Sequence, residues 1–234
     1  MIVLGLTGSI GMGKTTAAGL LRRLGVPVHD ADAAVHRLTA RHGAALPAIA
    51  LAFPGVVADG RLDRRALGAR VFGDPAELAR LEAILHPLVQ TSSRAFLKRC
   101  AFAGRRVAAL DIPLLFETGA EARCDLVVVV SAPALIQRQR VLSRPGMTPE
   151  AFAAVLARQM PDREKRRRAD RVVPTGLGLR PTLQGLDAAV RLAESMTPTA
   201  WPPDSWRERM ARERALRRRR EGRVAVAGPS RAGP

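Results

Sequence analysis

Apolar residues fall along the chain in two rhythms. Ile2 to Leu6 is a short apolar run ending at glycines, and from Thr15 to Leu24 apolar positions recur at three- and four-residue spacing, predicting strand, loop and helix. That is the opening of a parallel α/β unit. Val26 to Val28 predicts a second short strand, which delivers His29, Asp30, Ala31 and Asp32 to its carboxyl end, the edge where such sheets bind ligands. Between Ala33 and Ala103 no strand pattern is strong, whereas "RRALGARVF", "PAELARLEAIL" and "LVQTSSRAFLKRCAF" carry helical spacing. Residues 33–103 therefore read as a helical insert, in which His86 precedes Pro87 at the expected end of a helix. Arg106 to Leu110, ending in Asp111, and Leu126 to Val130, ending in "SAP", bring the sheet back. Residues 134–170 predict helices interrupted at "SRPGMTP", with Thr148 capping a new helix that has Pro149 at its first position. Arg171 to Val173 reads as the last strand and Pro181 to Ser195 as the last helix. From Thr197 the proline-rich start and the arginine runs predict a poorly ordered tail, residues 197–234, with one helix across Ser205 to Arg220.

The loop after the first strand carries the sharpest chemical signal. Gly8-Ser9-Ile10-Gly11-Met12-Gly13-Lys14-Thr15 fits G-x-x-x-x-G-K-[ST] without mismatch, and it lies between a predicted strand and a predicted helix, as the motif requires. Glycines let successive N–H groups wrap phosphate oxygens, Lys14 reaches the outer phosphates and Thr15 offers a hydroxyl to Mg²⁺. Nucleoside triphosphate binding follows. Asp32, just past the second strand, is placed either to take a proton from an attacking hydroxyl or to cap the following helix, and Asp30 shares its side if the segment is extended. Asp111 is either the acid that holds the Mg²⁺ water shell or a turn former. In "LDIPLLFETG", Pro113 to Phe116 are apolar at the ligand edge and form either an acceptor wall or core packing. Arg138, Arg140, Arg144, Arg158, Lys165, Arg166, Arg167 and Arg168 form a basic run, mostly a solvated face from which one or two side chains reach phosphate.

Composition adjusts this picture without redirecting it. A formal net charge of +17 suggests a polyanionic ligand, but ten arginines against four acids give residues 197–234 a charge of +6 and leave +11 for the rest. Aromatic residues are 3% and Tyr is absent, which leaves little for stacking on bases, so nucleic-acid binding is not the expected primary role. No apolar run approaches the ~20 residues of a membrane span, and the amino terminus lacks a signal-peptide pattern, so the expected address is cytoplasmic. Cys100 and Cys124 lack metal-ligand spacing and read as reduced packing residues.

Taken in order, "GLTGSIGMGKTT", "LGVPVHDADAAVH", "LDRRALGARVFGDP", "LEAILHPLV", "DIPLLFETG" and "RPGMTPEAFAAVLARQMPDREKRRRAD" resemble the dephospho-CoA kinase family over about residues 2–173. The resemblance implies an α/β, three-layer P-loop kinase fold with a parallel sheet, a helical substrate-binding insert and a helical lid. Its core would comprise 1–32, 104–133 and 171–196, its substrate domain 33–103 and its lid 134–170. It implies ATP-dependent phosphorylation of the 3′-hydroxyl of the ribose of dephospho-CoA, with Mg²⁺. Gly11, Met12, Gly13, Lys14, Thr15 and Thr16 would hold ATP phosphates, Asp32 would be the base, and Arg140, Arg144, Arg158 and Gln159 would face ATP. Leu62, Arg64, His86, Leu115, Phe116 and Glu117 would belong to the acceptor side. Many members carry Asn near the last strand, beside adenine, where this chain has Thr175, and the basic tail lies outside the resemblance.

Overall fold

The structure is a computed structural model that describes residues 1–71 and 73–202. A five-stranded, fully parallel sheet forms its centre, built from β1 (Ile2–Thr7), β2 (Val28–Asp30), β5 (Val107–Asp111), β6 (Leu126–Ser131) and β7 (Arg171–Pro174) in the order β2-β5-β1-β6-β7. The predicted strands are all present: β1, β6 and β7 start where expected and run one residue longer, while β5 and β2 are shifted by one and two residues. Strands buried on both faces read as near-continuous apolar runs, which is why they were visible in the sequence.

Alternation along the strands separates the two faces. Ile2, Leu4 and Leu6 face α1 (Lys14–Arg23) and α9 (Leu179–Ser195) in a cluster with Val128, Val130, Leu186 and Ala189. Val3, Ala108 and Leu110 face the opposite way, against Leu97, Cys100 and Trp201. Leu115, Phe116, Val127 and Val129 continue that second layer. Helices on both faces of a parallel sheet give the three layers that were expected.

The insert contains α2 (Ala31–Leu38), α3 (Leu46–Ala52), α4 (Arg64–Val71) and α5 (Pro75–Phe102). Two features depart from expectation. A small antiparallel hairpin, β3 (Val57–Ala58) with β4 (Arg61–Leu62), turns at Asp59 and Gly60, both at positive φ. Asp-Gly is a strong hairpin signal, but the flanking strands, at two residues each, are too short to show an alternating pattern. Nor does the helix end at His86: α5 continues through Pro87 for 28 residues. Leu81, Ile84, Leu85 and Leu88 bury its first half in the insert, and Leu97 and Cys100 bury its second half on the sheet. Packing at both ends outweighs the hydrogen bond that proline removes.

Residues 134–170, the expected lid, hold α6 (Ala134–Leu142), α7 (Pro149–Ala157) and α8 (Asp162–Arg168), and Thr148 caps α7 by accepting from Ala151 N at 3.2 Å. At the other end of the chain, the expected tail begins differently. Residues 197–202 are anchored, because Asp125 accepts from Thr199 N (2.6 Å), Thr199 Oγ1 (2.8 Å) and Ala200 N (2.7 Å), while Trp201 is buried beside Val3. The helix expected across Ser205 to Arg220 lies outside the described residues.

Candidate active site

The loop from Gly8 to Gly13 leaves the carboxyl end of the central strand and enters α1. Gly13 sits before the helix at φ 85°, a left-handed conformation that a side chain strains, and no side chain caps the helix. The amides of the first turn are thus left open to an anion. The loop's other surface is tied down. Gln137 Nε2 donates to Ile10 O at 2.8 Å, and Thr175 Oγ1 donates to Met12 O at 2.7 Å. Ile10 N donates to Gln159 Oε1 at 3.0 Å. Met12 itself is buried beneath the loop, with its sulfur accepting from Ala132 N at 3.0 Å.

Lys14 Nζ meets Asp111 Oδ1 at 2.7 Å. Asp111 ends its strand nearly inaccessible, and parallel register sets it beside Asp30. Burial pushes the Asp111 carboxyl above the ordinary carboxylate value; Lys14 opposes this shift, while Asp30 and Asp32 add to it. Asp30, not Asp32, caps the helix, accepting from Ala33 N at 2.9 Å. Because α2 begins at Ala31, the two acids do not share an extended segment. Asp32 lies in the first helical turn, exposed, with its carboxylate available to the cleft. His29, given no role by sequence, is a buried strut: its ring lies 5.4 Å from that of Phe96, and Nε2 lies 3.0 Å from Ser92 Oγ. Burial, then the charge of Arg37, lowers its pKa.

A cleft of about 590 Å³ opens at this edge. Gly11, Gly13, Lys14, Thr15, Thr16, Asp32, Arg140 and Arg144 all line it, as the sequence suggested, and Pro113, Thr175, Leu179 and Thr182 complete its walls. Thr175 holds the loop rather than standing free: Arg140 Nη2 donates to its carbonyl at 2.7 Å and Nη1 to its hydroxyl at 3.2 Å. Thr15 and Asp111 offer a hydroxyl and a carboxylate near the lysine. Among the described residues no three His, Cys, Asp or Glu side chains gather as a metal cage.

Several expected side chains do not reach the cleft. Leu115 and Phe116 are buried under the sheet, which is the core-packing alternative, because the chain turns inward after Pro113. Glu117 pairs with Lys165 at 2.9 Å. Leu62 packs within the insert, Arg64 donates to Thr39 Oγ1 at 3.1 Å, and His86 is exposed on α5. Arg158 is exposed at the end of α7 and is not part of the cleft wall. Pro113 lines the cleft, the wall alternative for its segment, whereas Gln137, which holds the loop through Ile10 O, carried no sequence signal, since an isolated amide does not announce such a role.

This cleft presents amides and a lysine for phosphates, and the Asp32 carboxylate lines it from the first turn of α2, with helices around the opening. Phosphoryl transfer to an alcohol needs that combination, and the class so defined is the P-loop kinases. The family model for dephospho-CoA kinase matches residues 2–177. A dephospho-CoA kinase from Paramagnetospirillum magneticum is 64% identical over 200 residues, covering 86% of this chain and 94% of that protein. Its counterpart from Rhodospirillum rubrum is 60% identical over 196 residues, covering 83% and 92%. A crystal structure from Thermus thermophilus matches with a TM-score of 0.72 at 41% identity, covering 84% of this chain and 98% of that one. The dephospho-CoA kinase of Campylobacter jejuni shares the fold, with a TM-score of 0.55 at 22% identity over 82% of this chain and 96% of that one. This chain belongs to the dephospho-CoA kinase family, and ATP is the co-substrate that a kinase of this family uses. Among the described residues no helix is long and apolar enough to cross a membrane.

Proposed function

We propose that this chain transfers the γ-phosphoryl group of ATP to the 3′-hydroxyl of the ribose of dephospho-CoA, giving coenzyme A and ADP, the final step of coenzyme A synthesis. The observation that carries the reading is the shared cleft of Lys14 and Asp32, with family membership specifying the acceptor.

In this reading the Lys14 ammonium leaves Asp111 and binds the β- and γ-phosphates. The loop amides and the open end of α1 take the remaining charge. Asp32, exposed at the cleft, accepts the proton of the attacking hydroxyl. Arg144, and Arg140 from its seat on Thr175, neutralise charge on the equatorial oxygens as it spreads in the transition state. Leu179 and Thr182 also border the cleft, and the nucleoside of ATP is accommodated beside them. Asp111 fits Mg²⁺, being a buried carboxylate in an already negative corner, and a magnesium ion needs only one or two protein oxygens beside water and phosphate. Thr15 and Asp111 would hold it, and when bound it supplies charge neutralisation at the β- and γ-phosphates.

The test is ADP release with dephospho-CoA, adenosine, other nucleosides and shikimate as parallel acceptors, with product mass recorded. Phosphate added to dephospho-CoA alone is expected. Phosphate on another acceptor, or ADP without a phosphorylated product, overturns the assignment.

A further inference from the structure

The chain has 35 arginines and only three lysines, and one of these lysines is wholly buried. Lys14 serves the glycine loop and Lys98 is exposed on α5. Lys165 sits within "DREKRRR", where Arg163, Arg166, Arg167 and Arg168 are all exposed. Burial here is therefore the property of one position, not of the basic run. A buried ammonium requires charged and polar partners, and those of Lys165 lie far away in sequence. Its Nζ reaches Glu117 Oε1 at 2.9 Å and donates to Pro113 O at 3.2 Å.

Each partner leads to a different part of the site. Glu117 Oε1 also accepts from Met160 N at 2.8 Å, directly after the Gln159 that holds the glycine loop through Ile10 N. Pro113 O also accepts from Thr7 Oγ1 at 3.0 Å, at the end of the central strand. Pro113 lines the cleft, two residues beyond the Asp111 that engages Lys14. The root of the lid, the loop 112–117 and the end of β1 thus converge on one ammonium group. A lysine suits the junction because its charge is compact and meets a carboxylate and a carbonyl as a point, whereas a guanidinium fork demands a wider, planar seat.

We propose that Lys165, with Glu117, is a positioning residue that couples the lid to the loop 112–117, so that nucleotide-driven lid ordering also fixes the wall beside the acceptor hydroxyl. The proposal rests on the reading of the cleft as a kinase site. Neither side chain touches the reacting groups; they act through Pro113 and Met160. A purely structural role would predict something else, since buried ion pairs are commonly replaceable by neutral groups without loss of stability.

The experiment compares the wild type with K165M and with the double variant K165M/E117Q, which removes both charges and keeps an acceptor for Met160 N. K165M strands a buried carboxylate and should lower the melting temperature; K165M/E117Q should recover most of it. Hydrogen exchange with and without a non-hydrolysable ATP analogue then reads the coupling directly. In the wild type, both 149–160 and 112–117 should gain protection with nucleotide. In the double variant only 149–160 should gain it, with kcat lowered about tenfold or more, as displacement of a reacting group implies, and ATP affinity unchanged. Equal nucleotide-dependent protection of both segments in the folded double variant, or wild-type kcat and acceptor KM, overturns the proposal. If the wild type leaves dephospho-CoA unphosphorylated while joint protection is lost in the variant, the acceptor assignment fails and the coupling stands.

Discussion

Asp125 makes an unusually demanding prediction for a residue remote from the chemistry. Its Oδ2 accepts from Val3 N at 2.8 Å, and its Oδ1 takes the three donors of Thr199 and Ala200. Asparagine cannot reproduce this pattern, because every partner is a donor and one end of the amide carries hydrogens. If the amide oxygen stays with Thr199 and Ala200, the NH₂ faces the Val3 N–H and orphans it; the reverse orientation orphans the others. Hydrogen bonds to a charged group contribute about 1.5–3 kcal/mol each, and an orphaned buried donor costs about 1–3 kcal/mol. The Thr199 end is exposed to solvent, which screens its share. Asp125→Asn should therefore cost about 2 kcal/mol, or about 4–8 °C in melting temperature for a protein of this size.

The pH dependence supplies a second check on Asp125. Burial raises its pKa, but hydrogen bonds from Val3, Ala200 and Thr199 outweigh burial and hold it below the ordinary value. A carboxyl depressed in the folded state stabilises above its unfolded pKa, and that contribution disappears as pH falls through the folded pKa. Urea unfolding followed by circular dichroism should show the difference between wild type and variant at pH 7 and a narrowing difference below about pH 4. Because the anchor lies at the amino-terminal ends of β1 and β6, kcat at 25 °C should be unchanged. A stability difference below about 0.5 kcal/mol at pH 7 would refute the reasoning, since it would rank four charged hydrogen bonds with an ordinary surface substitution.

Asp32→Asn should keep the fold and ATP affinity and lower kcat by roughly 10²-fold or more, the scale of general base catalysis; near-normal turnover in steady-state assays would remove Asp32 from that role. Lys14→Met should weaken ATP binding by isothermal titration and leave Asp111 buried without its cation. The folded protein would then hold a proton that the unfolded chain releases, so the variant's stability should fall as pH rises from the ordinary carboxylate value through the raised one. Adding Asp111→Asn should abolish that slope, and a pH-independent Lys14→Met variant would contradict the account. Cys124, its thiol pushed up to about 12 by burial, should stay unlabelled by iodoacetamide at pH 8 until the protein is unfolded, as followed by mass spectrometry.

The sheet and the phosphate loop were legible because their physics is local. Buried parallel strands announce themselves as apolar runs, and Gly11, Gly13 and Lys14 stand in the fixed spacing that anion binding demands. What escaped was set by partners distant in sequence. Pro87 reads as a helix end until α5 is seen packed at both ends, and Leu115 and Phe116 read as a cleft wall until the loop turns them inward. Asp125 carried no signal, because four donors from opposite ends of the chain meet only in three dimensions. Asp30 and Asp32 show the middle case: the sequence located both acids, and the helix start at Ala31 decided which caps and which faces the cleft.

The two side chains that grip the glycine loop from behind have an entropic consequence. With the Ile10 and Met12 carbonyls held by Gln137 and Thr175, the planarity of the trans peptide turns the N–H groups of Gly11 and Gly13 the opposite way, toward the cleft. The loop's polarity is thus established during folding, by residues with no need to contact nucleotide. Ordering a residue costs about 1–2 kcal/mol, and glycines have the most freedom to lose. Here that cost is met by the folding of the domain as a whole, so phosphate arrives at donors already aimed, and the free energy of contact appears as affinity instead of being consumed in arranging the loop.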